Sequence, residues 1–203
     1  MGSIIQKMKT SCIILTAGRS ERMNSPKAFL KFSDKENFLQ HIIHVYHYAG
    51  IKDIITIINA QIESEILMAD YQGVRFIRNP YPEQGRMSSL KIGLQSSKTE
   101  CVFVQNIDNP FVSVNCIKQL LGPGMSADYI VPVYLGRGGH PVLLSSHVIQ
   151  HIIKEEPDDS KLNEVLKKFK RADINMNDER VVLNINTPSD YEKYFFKSEV
   201  NAG

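Results

Sequence analysis

Cysteine is scarce in this chain: Cys12, Cys101 and Cys116 are the three present, and no two form a Cys-x-x-Cys pair. An odd, unpaired set excludes a disulfide framework and fits buried free thiols in a reducing cytosol, so a cytoplasmic location is expected. Long apolar runs are missing too. None approaches the length of about 18 residues that spans a bilayer, and the N-terminus carries no charged-then-apolar signal. Gln6 stands where a myristoylation signal requires Ser or Thr. Charge of one sign is also lacking, since 24 basic and 22 acidic side chains leave a formal charge of +2. That balance gives no reason to expect nucleic acid or a membrane as partner, so anion binding has to come from local clustering. Two phosphate signatures are absent as well. No Gly-Lys-Ser/Thr follows Gly18, which excludes the P-loop of ATPases, and no Gly-x-Gly-x-x-Gly occurs, which excludes the dinucleotide fingerprint.

What is present is an ordinary globular composition, 42% hydrophobic and 23% charged, on a chain of 203 residues. Short apolar runs at 12–15, 54–58, 74–77, 102–104, 128–134, 140–144 and 181–183 read as strands. Between them Phe38, Ile42, Val45, Tyr46 and Ala49 recur at helical spacing, with Gly50 as a stop. Further helices are expected over 62–71, 88–94, 113–121, 146–155 and 160–169, and Pro188 opens a last one to about Phe196. Strands apolar on both faces, alternating with helices, predict a mostly parallel sheet covered on both sides. Gly122-Pro123-Gly124 and Gly136-Arg137-Gly138-Gly139 read as turns too short to divide the chain. One domain over 1–203 is expected, with residues 1–9 as a loose lead-in.

In open parallel sheets ligands gather at the carboxyl ends of the strands. The first such end is Thr16-Ala17-Gly18-Arg19-Ser20-Glu21-Arg22-Met23-Asn24-Ser25-Pro26-Lys27. Its small residues let backbone amides approach phosphate oxygens, and Arg19, Arg22 and Lys27 bring cations to match a triphosphate. A second strand end is Asn106-Ile107-Asp108-Asn109-Pro110, where Asp108 is placed either to hold Mg²⁺ or simply to make a turn before proline. His41, His44 and His47 fall opposite the core stripe of their helix and read as an exposed face rather than a metal site.

The motifs become specific in combination. Leu15-Thr16-Ala17-Gly18-x-Ser20-x-Arg22-Met23, followed by Lys27, resembles the signature of MobA-like nucleotidyltransferases, the molybdenum cofactor guanylyl- and cytidylyltransferases and their relatives. Asn79-Pro80 with Gly85-Arg86-Met87-Ser88-Ser89-Leu90 and Gly93-Leu94 is similar to a segment of the cytidylyl branch. So are Asp108-Asn109-Pro110, Gly139-His140-Pro141 and Asn184-Ile185-Asn186-Thr187-Pro188-Ser189-Asp190-Tyr191. Thr16 and Asn24 depart from the family's more usual small residues.

The resemblance implies a Rossmann-like three-layer α/β sandwich of the nucleotide-diphospho-sugar transferase type. It implies that Leu15, Thr16, Ala17, Gly18 and Ser20 meet the nucleotide, and that Arg22 and Lys27 neutralise the phosphates. Ser88 and Ser89 either reach the base or cap the following helix. Asp108, assisted by Asn186, would anchor Mg²⁺, and Gly139 and His140 would face the acceptor, unless the histidine is structural. Ala17 and the Ser-Ser-Leu motif favour CTP. The expected partners are therefore CTP, a phosphorylated small-molecule acceptor such as the molybdenum cofactor, and a client molybdoenzyme. The alternatives are guanylyl or another nucleotidyl transfer, to a sugar phosphate or phospho-alcohol, and a non-catalytic nucleotide- or cofactor-binding accessory protein for molybdoenzymes.

Overall fold

The computed structural model describes residues 8–17, 23, 25–69, 71–122 and 124–196. Its elements in chain order are β1 (Thr10–Leu15), α1 (Phe38–Tyr48), β2 (Asp53–Ile58), α2 (Ala60–Met68) and β3 (Val74–Arg78). Then follow α3 (Arg86–Ser96), β4 (Cys101–Asn106), α4 (Val114–Leu121), β5 (Tyr129–Tyr134), β6 (Arg137–Gly138) and β7 (Val142–Ser145). The chain closes with α5 (Ser146–Glu155), α6 (Leu162–Leu166), β8 (Arg171–Asn175) and α7 (Pro188–Phe195).

The strands form one eight-stranded sheet in the order β3-β2-β1-β4-β7-β5-β6, with β8 also paired to β5. Pairs β1·β2, β1·β4, β2·β3 and β5·β8 are parallel, while β7 runs antiparallel to both β4 and β5. Alternation along the strands divides the core into two layers. Cys12, Ile14, Ile54 and Phe103 join the layer of α1, α2 and α4, against which α7 rests its aromatic side chains. Ile13, Ile55, Ile57, Val102 and Val104 join the layer of α3, α5 and α6. Both faces of the central strands are thus dry, which is why their sequences are continuously apolar.

Side-chain caps start the helices where the sequence changes period. Asn37 and Gln40 form a capping box on α1, Asn59 caps α2, Ser113 caps α4 and Ser145 caps α5. Thr187 and Asp190 form a second capping box on α7, with Pro188 in its first turn. Close packing fixes α3 on β1: a Cβ added to Gly93 would stand 2.7 Å from Ile13 Cγ2. A Gly93→Ala chain is expected to lose about 1–3 kcal/mol, read as a lowered urea midpoint at unchanged slope.

Three expectations are corrected. Residues 171–175 form a strand that the apolar pattern misses, because Arg171, Asp173 and Asn175 point to solvent from a sheet edge. Val181-Val182-Leu183 is not a strand; Glu179–Val182 is a short 3₁₀ turn whose Val181 is buried, so the run is apolar through packing rather than pairing. Within the expected turn at 136–139, Arg137 and Gly138 pair with β5. Of the expected lead-in, residues 1–7 lie outside the described residues. Met8 packs on the core, and the Lys9 carbonyl accepts from Glu100 and Cys101.

Candidate active site

The parallel strands β1, β2 and β4 end on one edge of the sheet, and polar residues follow each apolar run there. After β1, the Thr16 hydroxyl donates to Ile57 O at 2.8 Å, so this extra hydroxyl is satisfied inside the sheet. Ala17 is buried, and its carbonyl accepts from Asn59 Nδ2 at 3.2 Å. Asn59 therefore holds the start of the loop after β1 to the tip of β2, while its oxygen caps α2. The Leu15 carbonyl accepts from Ile107 N, which ties the ends of β1 and β4 together. Gly18, Arg19, Ser20 and Arg22 lie outside the described residues.

Asp108 stands just past β4 and is only 6% exposed. Lys27 Nζ approaches its Oδ2 at 4.0 Å, and Arg86, the first residue of α3, donates to the same oxygen at 3.5 Å. Lys27 Nζ also donates to Asn186 Oδ1 at 3.0 Å. Asp108 Oδ1 is buried with no hydrogen-bond partner. A buried carboxylate oxygen left bare beside two cationic side chains is an arrangement that a hard cation and phosphate oxygens complete. Among the described residues no group of three His, Cys, Asp or Glu side chains converges into an all-protein metal cage.

A family model described as the MobA-like NTP transferase domain matches residues 12–174. The chain belongs to this family. The molybdenum cofactor cytidylyltransferase of Escherichia coli K12 is 23% identical over 89% of this chain and 92% of its own length. A probable molybdenum cofactor guanylyltransferase of Clostridium perfringens is 25% identical over 95% of this chain and its full length. Among solved structures, Rv0371c of Mycobacterium tuberculosis superposes with a TM-score of 0.77 at 21% identity, covering 92% of this chain and 97% of that one. A manganese complex of Rv0371c matches with a TM-score of 0.76 at 17% identity, covering 91% and 97%. The sheet is accordingly that of the nucleotide-diphospho-sugar transferase fold, and the MobA-like chain is a nucleotidyltransferase.

The remaining family motifs of this transferase sit around the same strand ends. Ser88 and Ser89 do not cap α3, whose N-cap is Gly85 at φ 101° without a side-chain cap. Both are buried and accept from Asn79 Nδ2, at 3.4 Å and 2.9 Å, while Asn79 N donates to Ile58 O. Asn79 thereby clamps the start of α3 to the edge of the sheet. Ser88 also faces a cleft of about 470 Å³ on the outer side of α3, lined by Tyr81, Gln84 and Lys91 among others. Lys27 and Asp108 do not line that cleft.

Gly139 is buried, and a Cβ there would come within 2.2 Å of the Val181 carbonyl oxygen. Close backbone approach explains the glycine. His140 N donates to that same carbonyl at 2.9 Å. On the ring, Asn106 Nδ2 donates to Nε2 at 3.2 Å, leaving Nδ1 to carry the proton. That Nδ1 is buried and unpartnered, and burial holds the ring's pKa below its ordinary value, against the pull of Asp108. His140 is thus a neutral donor beside the carboxylate.

Thiol chemistry has no place here. All three cysteines are free and buried, and burial pushes Cys101 up to about 11 and Cys116 up to about 12. The histidines of α1 are less exposed than their spacing implied: His44 lies open, but His41 stacks on Phe32 at 3.5 Å, and both bond Glu36. Sequence reasoning passed over Arg86, Asn106 and Asn109. Each stands inside or beside a quoted motif, but only the folded chain shows what it touches. Among the described residues no helix is long and apolar enough to cross a membrane.

Proposed function

We propose that this MobA-like transferase moves CMP from CTP to a phosphorylated acceptor, with a molybdopterin-type cofactor as that acceptor, and releases pyrophosphate. The observation that carries this reading is Asp108, buried, with one oxygen bare and the other facing Lys27 and Arg86. The donor set is all oxygen, Asp108 Oδ1 with Asn186 Oδ1 nearby on Lys27, and suits Mg²⁺, which takes one or two carboxylates and completes its shell with phosphates and water. When bound, the cation supplies positive charge to the nucleotide phosphates.

The protein's own part is positioning and charge. Thr16, Ala17, Gly18 and Ser20 receive the nucleotide, with Leu15 fixing the start of their loop. Arg22 and Lys27 neutralise the leaving phosphates, and Arg86 adds a third cation from α3. A phosphate oxygen of the acceptor attacks the α-phosphorus in line. The bond from the α-phosphorus to the bridging oxygen breaks, and that oxygen departs on pyrophosphate with the electron pair. No covalent enzyme intermediate is required.

Ser89 and Ser88 border the base through the Asn79 clamp, and the Ala17 methyl narrows the space for it, which favours a pyrimidine. His140 and Gly139 border the acceptor, and Gly139 lets the backbone pass beneath Val181. Thermal unfolding with CTP, GTP, ATP and UTP, each with and without Mg²⁺, tests this. A ligand at about 100 times its Kd stabilises by about 2.7 kcal/mol, a shift of a few degrees. A magnesium-dependent shift with CTP alone is expected. A shift with GTP instead would overturn the cytidylyl assignment, and no shift with any nucleotide would sink the catalytic reading in favour of a non-catalytic accessory protein.

A further inference from the structure

Asn109 is fully buried between Asp108 and Pro110, where a turn residue would ordinarily meet solvent. Its Nδ2 faces three main-chain carbonyls, those of Arg180 at 3.5 Å, Val181 at 3.4 Å and Leu183 more closely still. Its own carbonyl accepts from Gln105 Nε2 at 2.8 Å, and the same nitrogen donates to Asn106 O at 2.9 Å. Gln105 is in turn held from α1 by the Tyr46 hydroxyl at 3.2 Å. One further bond crosses the same seam: Ile185 N donates to Asp108 O at 2.7 Å. The residue after Ile185 is Asn186, whose oxygen accepts from Lys27.

We infer that Asn109 is a positioning residue, whose side-chain amide pins segment 180–183 to the end of β4 and so sets Asn186 opposite Asp108. This rests on the proposed roles of Asp108 and Asn186 at the nucleotide. The residue type follows from the geometry. Three carbonyl oxygens converge on Nδ2, so the group there has to be a donor, and a carboxylate would be repelled by all of them. Asn109 Oδ1 is itself buried without a partner, so the side chain's recorded bonds all run from its nitrogen into this seam.

The test is a cycle of Asn109→Ala, Asn186→Ala and the double variant. The readout is the fraction of Mn²⁺ bound in the presence of CTP, measured by the loss of the free-ion paramagnetic resonance signal. Outer partners of this kind, when removed, weaken metal affinity by about 10- to 100-fold. Asn109→Ala and Asn186→Ala are each expected to weaken binding about tenfold, and the double variant no more than Asn186→Ala alone. Losses that multiply in the double variant would show that Asn109 acts independently and would overturn the inference. So would native Mn²⁺ binding by Asn109→Ala alongside a weakened Asn186→Ala. A silent Asn186→Ala would overturn the proposed role of Asn186 itself, and the inference with it. If Asn109→Ala melts below the assay temperature, Asn109→Ser carries the same cycle with the same outcomes.

Discussion

Asp108→Asn is expected to lower turnover by about a thousandfold, at the upper end of what losing one preorganised charge contact does to a transition state. The substitution keeps the volume, removes the charge and turns one acceptor oxygen into an amide donor. Asp108 is buried, one of its oxygens has no partner, and its cations stand 3.5 Å and 4.0 Å away. An incompletely paired buried carboxylate contributes little to stability. The thermal midpoint of Asp108→Asn should therefore equal or exceed that of the native chain while pyrophosphate release collapses. The variant should also show no nucleotide-dependent Mn²⁺ binding. A fall in the midpoint with turnover largely kept would return Asp108 to an ordinary turn residue.

Lys27→Ala should remove about 3 kcal/mol of transition-state stabilisation, a loss of about 150-fold in kcat/KM. Its ammonium group reaches Asn186 Oδ1 and Asp108 Oδ2 from a short 3₁₀ turn, Lys27–Phe29, whose Ala28 is buried. The side chain is thus held on a fixed base over the strand ends, with 11% of its surface exposed. Arginine is not expected to rescue it, because a planar fork cannot take the place of a compact point charge between two oxygens. Steady-state kinetics at saturating CTP separates the outcomes: near-native kcat in Lys27→Ala would remove this residue from the chemistry.

Much of the architecture was legible because the central strands are buried on both faces. Ile13, Ile55, Val102 and Phe103 sit in runs apolar enough to mark strands, and Phe38, Ile42 and Val45 recur at the spacing that marks α1. Legibility ended at the sheet's far edge. Arg171, Asp173 and Asn175 face water, so β8 carries only Ala172 and Ile174 toward the core and shows too little apolar signal. The run at 181–183 failed for the opposite reason, since Val181 is buried and Val182 packs against the core without pairing in the sheet.

At the site, the short motifs could be read because each is local. The strand end followed by Thr16-Ala17, and the one followed by Asp108, are each contained within a few residues of chain. The family was likewise fixed by residues in order along the sequence, and the match over 12–174 agrees. Partners were not legible. Lys27 and Asn186 lie 159 residues apart, and Asn109 meets Leu183 across 74. The sequence by itself determined the doubly buried central strands, the family and which residues stand at the ends of those strands, since these follow from local pattern. Only the tertiary structure decided which carbonyls Asn109 holds, which oxygen of Asp108 stays bare, and that Lys27 bridges two segments. Such contacts depend on how the sheet brings distant strand ends to one edge, and no local pattern records that distance.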